Sequence, residues 1–277
     1  MLRRFALSAT LVMGITRPLT AQDGPIILPE PASFEVASVK RSPADVQAPG
    51  IRPIQGNRFL AVGLTARTLM QVAYGRQGTL LSAQVVGDAP WLDSERFDIT
   101  GISEALTAPG NPFTTIRGLM QRLLRERFQA QVHLETRQLP IYELVMSHTD
   151  GRPGPKLRPP EAQCVEGLGG PSNGVPNCGF TRVRPGDWAA RSIDLGLFAT
   201  NLAFLPEVGR VVRDRTGLRE RFDLELRFNP QAVSAADPSP DPSIFTALQE
   251  QLGLKLQASR GPVEVVAIDR IERPTPD

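Results

Sequence analysis

The residues that could do chemistry in this chain are few: two histidines, two cysteines, and a repeated Arg-Phe-Asp phrase set among 29 acidic residues. His133 lies in Val-His-Leu-Glu, where strand alternation would put His133 and Glu135 on one face as two ligands of a metal set. No third ligand stands out. A surface histidine between an inward-turned Val132 and Leu134 is the ordinary reading. His148 stands beside Thr149 and Asp150, where polar residues mark a strand end. No spacing singles out two carboxylates for glycoside cleavage, a matter of separation in space. There is no His-Glu-x-x-His, no dinucleotide fingerprint, no Walker loop, and no serine elbow set between a strand pattern and a helix pattern. The run Asp214 to Leu218 reads as a turn with Gly217 at positive φ. The sequence therefore assigns no catalytic, cofactor-binding or metal-ligating residue and no cofactor, and it leans away from an enzyme.

Cys164 and Cys178 are most simply one disulfide, with no histidine nearby to complete a zinc set. A closed loop of this size contributes about 3 kcal/mol in the chain-entropy model. It would restrain the Pro/Gly-rich stretch 149–178, which is long for a loop inside a compact domain.

The Arg-Phe-Asp phrase occurs in "SERFDIT" (Ser94 to Thr100) and in "RERFDLELRF" (Arg219 to Phe228), and each copy follows a Val-Val pair. In the second copy Phe222, Leu224, Leu226 and Phe228 alternate with Arg221, Asp223, Glu225 and Arg227, the pattern of a strand with one face on a core. Phe97 and Phe222 would anchor the two strands. Arg96, Asp98, Arg221 and Asp223 are then either outer-face structural partners or symmetric ligand contacts at the junction of two halves.

The elements around each phrase follow one order. The first copy has a strand-like Asn57 to Gly63, a helix from Thr65 to about Tyr74, the Val-Val and Arg-Phe-Asp segments, and a helix from about Thr115 to Phe128. Strand-like segments then flank a turn expected at Arg137 to Pro140. The second copy repeats this, with a helix from Ile244 to Leu252 and a turn expected at Ser259 to Pro262. Ile116, Leu119, Met120, Leu123, Leu124 and Phe128 share one helix face, started by a cap at Thr114 or Thr115. Ser243 caps the partner helix and Gly253 ends it. The expected fold is α+β, two pseudo-repeated halves, each a small antiparallel sheet with two helices, with one shared sheet left open as an alternative. The expected boundaries are a signal peptide at 1–21, a linker at 22–33, a first half at 34–148, the disulfide loop at 149–178, and a second half at 179–277.

Arg3 and Arg4 precede an apolar run from Phe5 to Ile15 that is too short to span a bilayer, and Ala21 supplies a small residue for cleavage. Loss of this segment removes Arg3, Arg4 and Arg17 and turns the formal charge of +2 into −1. A nearly neutral chain lacks the footprint of a nucleic-acid binder. The expected location is periplasmic or secreted, with no transmembrane segment after cleavage.

Several strings carry a family likeness. They are "FEVASVKRS" (Phe34 to Ser42), "GDAPWLDSERFDI" (Gly87 to Ile99), "LLRERFQAQVHLETRQLPIYELV" (Leu123 to Val145), "GPKLRP" (Gly154 to Pro159), "DRTGLRERFDLEL" (Asp214 to Leu226) and the stretch from Pro242 to Pro274. Together they resemble the soil-associated family of exported bacterial proteins known as domain of unknown function 3738. Val211 departs from the proline that the family pattern places after Gly209-Arg210. The resemblance implies export and an occasional attachment to membrane sensor metallopeptidases, and it implies no catalytic residue. The leading expectation is a non-catalytic extracytoplasmic module that binds a protein, peptide or glycan. The alternatives are a hydrolase using carboxylates or His133, and a sensor or inhibitor partner of a membrane metallopeptidase.

Overall fold

The structure, a computed structural model, describes residues 32–43, 45–52, 54–75, 78–109, 111–165, 175–230 and 241–275. The expected signal peptide and most of the linker lie outside them. No helix among the described residues is long and apolar enough to cross a membrane.

In chain order the first elements are β1 (Val36–Arg41), β2 (Gly50–Ile51), β3 (Arg58–Thr65), α1 (Ala66–Tyr74) and β4 (Val85–Val86). They are followed by α2 (Trp91–Ser94), β5 (Arg96–Ile102), α3 (Pro112–Arg127) and β6 (Gln131–Met146). Then come β7 (Leu157–Arg158), β8 (Gly179–Arg184), β9 (Asp187–Ile193), α4 (Leu195–Leu202), β10 (Val212–Asp214) and β11 (Phe222–Arg227). The chain closes with α5 (Ile244–Ala247), a wider helical turn (Leu248–Leu252) and β12 (Leu254–Arg270).

These strands make three four-stranded sheets, ordered β1-β5-β3-β2, β7-β11-β9-β8 and β10-β6-β12-β4. The protein is thus mixed α+β, with several small sheets and few helices. The third sheet is the departure from one antiparallel sheet per half. β6 and β12 pair antiparallel along almost their whole lengths, while β10 joins β6 and β4 joins β12 in parallel. Leu157 and Arg158, inside the stretch expected to be loop, form β7 against β11.

The turns expected at Arg137 to Pro140 and Ser259 to Pro262 do not exist. Both segments run straight through the β6–β12 ladder, with Pro140 opposite Arg260 and Pro262 opposite Gln138. Register explains the tolerance. Tyr142 donates its N–H to the Val211 carbonyl at 2.9 Å, so the even-numbered residues of β6 turn their N–H groups away from β12. The even-numbered residues of β12 face them as non-hydrogen-bonded pairs. A proline there removes no bond of this ladder, which is where strands accept one.

Two main cores lie under the outer sheets. In the first, α1 and α3 bring Leu69, Met70, Leu119 and Phe128 onto Phe59, Phe97 and Ile99, all nearly inaccessible to solvent. Phe128 stacks on Trp91 and meets Phe97 edge-on, at ring separations of 6.4 and 5.2 Å. In the second, Trp188, Phe198, Leu226, Phe228 and Leu248 cluster around β9, β11 and α4. Each such side chain contributes roughly 1.5–3 kcal/mol by leaving water. Ile141, Val263 and Val265 form a small third core on the β6–β12 ribbon, packed by Leu139, Val86 and Val211.

The expected apolar face of α3 is the buried one, but its cap is different. Asn111 accepts from the Phe113 N–H and Pro112 opens the first turn, upstream of Thr114 and Thr115. Ser243 caps α5 through the Thr246 N–H, and Gly253, at φ 67°, turns the chain into β12. A Cβ at Gly253 would also stand 2.5 Å from the Gly154 nitrogen, so conformation and space both require glycine.

Candidate functional site

The two Arg-Phe-Asp copies hold one backbone irregularity each, in the same way. In the first, the β3–β5 register slips between Ala61 and Leu64, and Gly63 takes a left-handed φ of 64°. Asp98 Oδ1 accepts the Gly63 N–H at 2.8 Å while Arg96 donates to the Gly63 carbonyl at 2.8 Å. In the second, the β9–β11 register slips between Phe222 and Leu224, and Ser192 sits at φ 45°. Asp223 Oδ1 accepts the Ser192 N–H at 2.8 Å, and Arg221 donates to the Ser192 carbonyl at 2.9 Å. Arginine and aspartate two residues apart therefore clamp both polar groups of one bulged residue on the neighbouring strand. The remaining oxygen of Asp223 accepts the Glu161 N–H at 3.1 Å, and Ser42 adds a second donor to Asp98. The four residues do not meet at one place: they stand in two different sheets.

Left-handed φ costs a serine about 1–2 kcal/mol, against roughly 0.5–1 kcal/mol of extra chain entropy lost by glycine. Ser192→Gly is therefore expected to raise stability by about 0.5 kcal/mol, read from the denaturant midpoint. A loss of stability would mean that the serine hydroxyl carries a role of its own.

Asp223 is the member of this set that lies at a cleft. The cleft, about 260 Å³, runs over the outer face of β7, β11, β9 and β8. Ala189, Ala190 and Leu224 line it beneath four cations, Lys156, Arg158, Arg182 and Arg191, and three carboxylates, Glu161, Asp223 and Glu225. Lys156 pairs with Glu225 at 3.1 Å, Arg158 reaches Glu161 at 3.6 Å, and Arg182 turns to Asp187 at 2.7 Å. The Lys156 ammonium holds the Glu225 carboxyl below its ordinary value, with Arg158 and Arg182 adding to the effect. Glu225 thus stays ionised, the opposite of what a general acid needs. The outer face of the first sheet differs, exposing Val36, Leu60 and Ile102.

His133 meets a partner that sequence spacing missed. Its Nδ1 lies 2.9 and 3.1 Å from the two oxygens of Asp269, beside the register slip that ends β12. Glu135, the expected co-ligand, has its nearest oxygen 3.9 Å from Nε2 and is bound by Arg137 at 2.7 Å. No group of three or more His, Cys, Asp or Glu among the described residues is placed to hold a metal ion. His148 is exposed in the turn after β6. Gly170 to Gly174 does spell Gly-x-Ser-x-Gly, and this pattern lies outside the described residues.

Cys164 and Cys178 are bonded, with Cα atoms 5.0 Å apart. Val165 and Asn177 bridge beside them, and β8 starts directly after Cys178. The disulfide thus ties the segment carrying Glu161 to the strand carrying Thr181 and Arg182, two walls of the cleft. Burial pushes the half-buried Tyr74 phenol above its ordinary 10.0, opposed by Arg125. This contribution to stability is present below pH 10 and fades as the pH rises through the raised value.

The fold and site define a class: an α+β protein of small sheets, with a charged open cleft and, among the described residues, no cluster able to hold a metal. The chain belongs to the family described as protein of unknown function (DUF3738), whose model matches residues 67–271. That match is narrower than the stretch from Phe34 to Pro274 over which the motifs resemble the family, and β1 to β3 precede it. No curated protein and no solved structure matches the chain.

Proposed function

We propose that this protein is an extracytoplasmic, non-catalytic binding module built from two copies of one unit, of which the second carries the ligand surface. The observation that carries the reading is the charged cleft over β7, β11, β9 and β8, set against the more apolar face of the first sheet. Its cations can hold a ligand. Its carboxylates are engaged by backbone or by cations, and Thr181 directs its hydroxyl to the Ala189 carbonyl at 3.3 Å, so none of the described residues lining it is poised to move a proton.

Duplication is supported by order and pairing. In each copy the Arg-Phe-Asp strand lies between a short or edge strand and a strand that leads into a helix, the short strand beside the second copy, β7, being supplied by the joining stretch. The offset between matched residues falls to 122 at Pro140 and Pro262, so Leu139 corresponds to Gly261, and these two residues are opposite each other in the ladder. A pseudo-twofold axis would pass through that pair. The units are residues 34–148 and 179–277, joined by 149–178, and each lends one short strand, β4 or β10, to the other's long strand. Extracytoplasmic location is supported by the disulfide and the amino-terminal sequence.

A hydrolase reading would rest on the Asp269–His133 pair. The deciding experiment incubates the protein with peptide and glycan arrays, scoring retention and cleavage in parallel. Reversible retention without cleavage is expected. Turnover that disappears in His133→Ala would overturn the binding reading.

A further inference from the structure

The cleft's charge is uneven in a way that names a ligand. Of its four cations, three face a carboxylate, and Arg191 has no side-chain partner among the described residues. Arg191 is half-buried at the middle strand β9, next to the Ala189–Ala190 floor, where a guanidinium gives up part of its hydration without a counter-charge. Asp223 is spent on two backbone N–H groups, which leaves Glu161 and Glu225 as the accepting side.

We infer that this cleft holds an extended peptide segment bearing acidic side chains, one carboxylate on Arg191 and a second toward Arg158, with Glu225 and Glu161 accepting from its backbone N–H groups. The inference rests on the binding reading above and deepens it. Four strands about 4.8 Å apart give a floor about 14 Å across, room for four or five extended residues. The alternating signs select against a uniform polyanion: a polyuronate or nucleic acid would set its charges against Glu161, Asp223 and Glu225. No aromatic ring among the described residues lines the cleft, and these residues offer no platform on which bases stack. A guanidinium matches a carboxylate through two parallel N–H bonds, and this supplies the orientation.

The test is a titration of the ¹⁵N-labelled protein with the capped peptide Gly-Glu-Gly-Glu-Gly, its Gly-Gln-Gly-Gln-Gly counterpart, and trigalacturonate. Saturable amide shifts from the acidic peptide at Arg158, Arg182 and Arg191 are expected. Arg191→Gln should weaken the binding roughly tenfold and leave the melting temperature unchanged, and Arg184→Gln, outside the cleft, should do nothing. Equal shifts from the glutamine peptide would overturn the acidic requirement while keeping the cleft as a binding surface. Shifts from trigalacturonate alone would overturn the peptide and also keep the surface. If no probe moves these amides, both the inference and the reading of the cleft fall.

Discussion

Expressed separately, residues 34–148 and 149–277 are each expected to show no cooperative thermal transition, whereas co-expression should return a folded heterodimer. β6 alone would present a 16-residue strand, including buried Ile141 and Leu144, with no ladder on either side. β4, two residues long, would lose its partner β12, and with it the seat of Val85 in the first core. Unpaired strand groups away from water cost free energy comparable to a lost hydrogen bond each, so the effect is loss of the folded state. Circular dichroism melting of each fragment, then of the mixture, reads the result. A cooperative melt from residues 34–148 alone would contradict the shared central sheet.

The second large effect is at the first bulge. Asp98→Ala should destabilise the protein by about 3 kcal/mol, because the Gly63 N–H and the Ser42 hydroxyl lose a charged acceptor in a half-buried place. For a chain of this size that lowers Tm by about 6–12 °C. Asp98→Asn retains one acceptor oxygen and should recover part of the loss. Gly63→Ala should fail independently, since its Cβ would lie 2.5 Å from Val46 Cγ1 at a left-handed φ. If Asp98→Ala melts like wild type, the aspartate is free for some other use, and ligand contact at this position becomes the better account.

Much of the local structure could be read from residue order because it is set by local periodicity. The alternation from Phe222 to Phe228, the α3 face and the Gly253 exit depend on neighbours within a turn or a strand. The errors lie where a distant partner decides. Pro140 and Pro262 read as turns, since a lone sequence cannot show which strand edge faces a ladder. Asp269 could not be matched to His133, because a register slip brings them together across the sheet. Lys156 and Arg158 stand in a Pro/Gly-rich stretch, so the cleft they help to line left no pattern to find. The Arg-Phe-Asp residues were visible, but their work on the backbone of Gly63 and Ser192 became clear only with the bulges.

The pairing of β6 with β12 joins residues more than a hundred positions apart in the chain. A polypeptide emerging amino-terminus first must therefore hold the 16-residue strand β6 idle until nearly all of the rest has followed. Such distant contacts slow folding and leave a sticky edge exposed meanwhile. Maturation of this protein should accordingly depend on a holding chaperone, and its slowest refolding phase should track closure of that ladder.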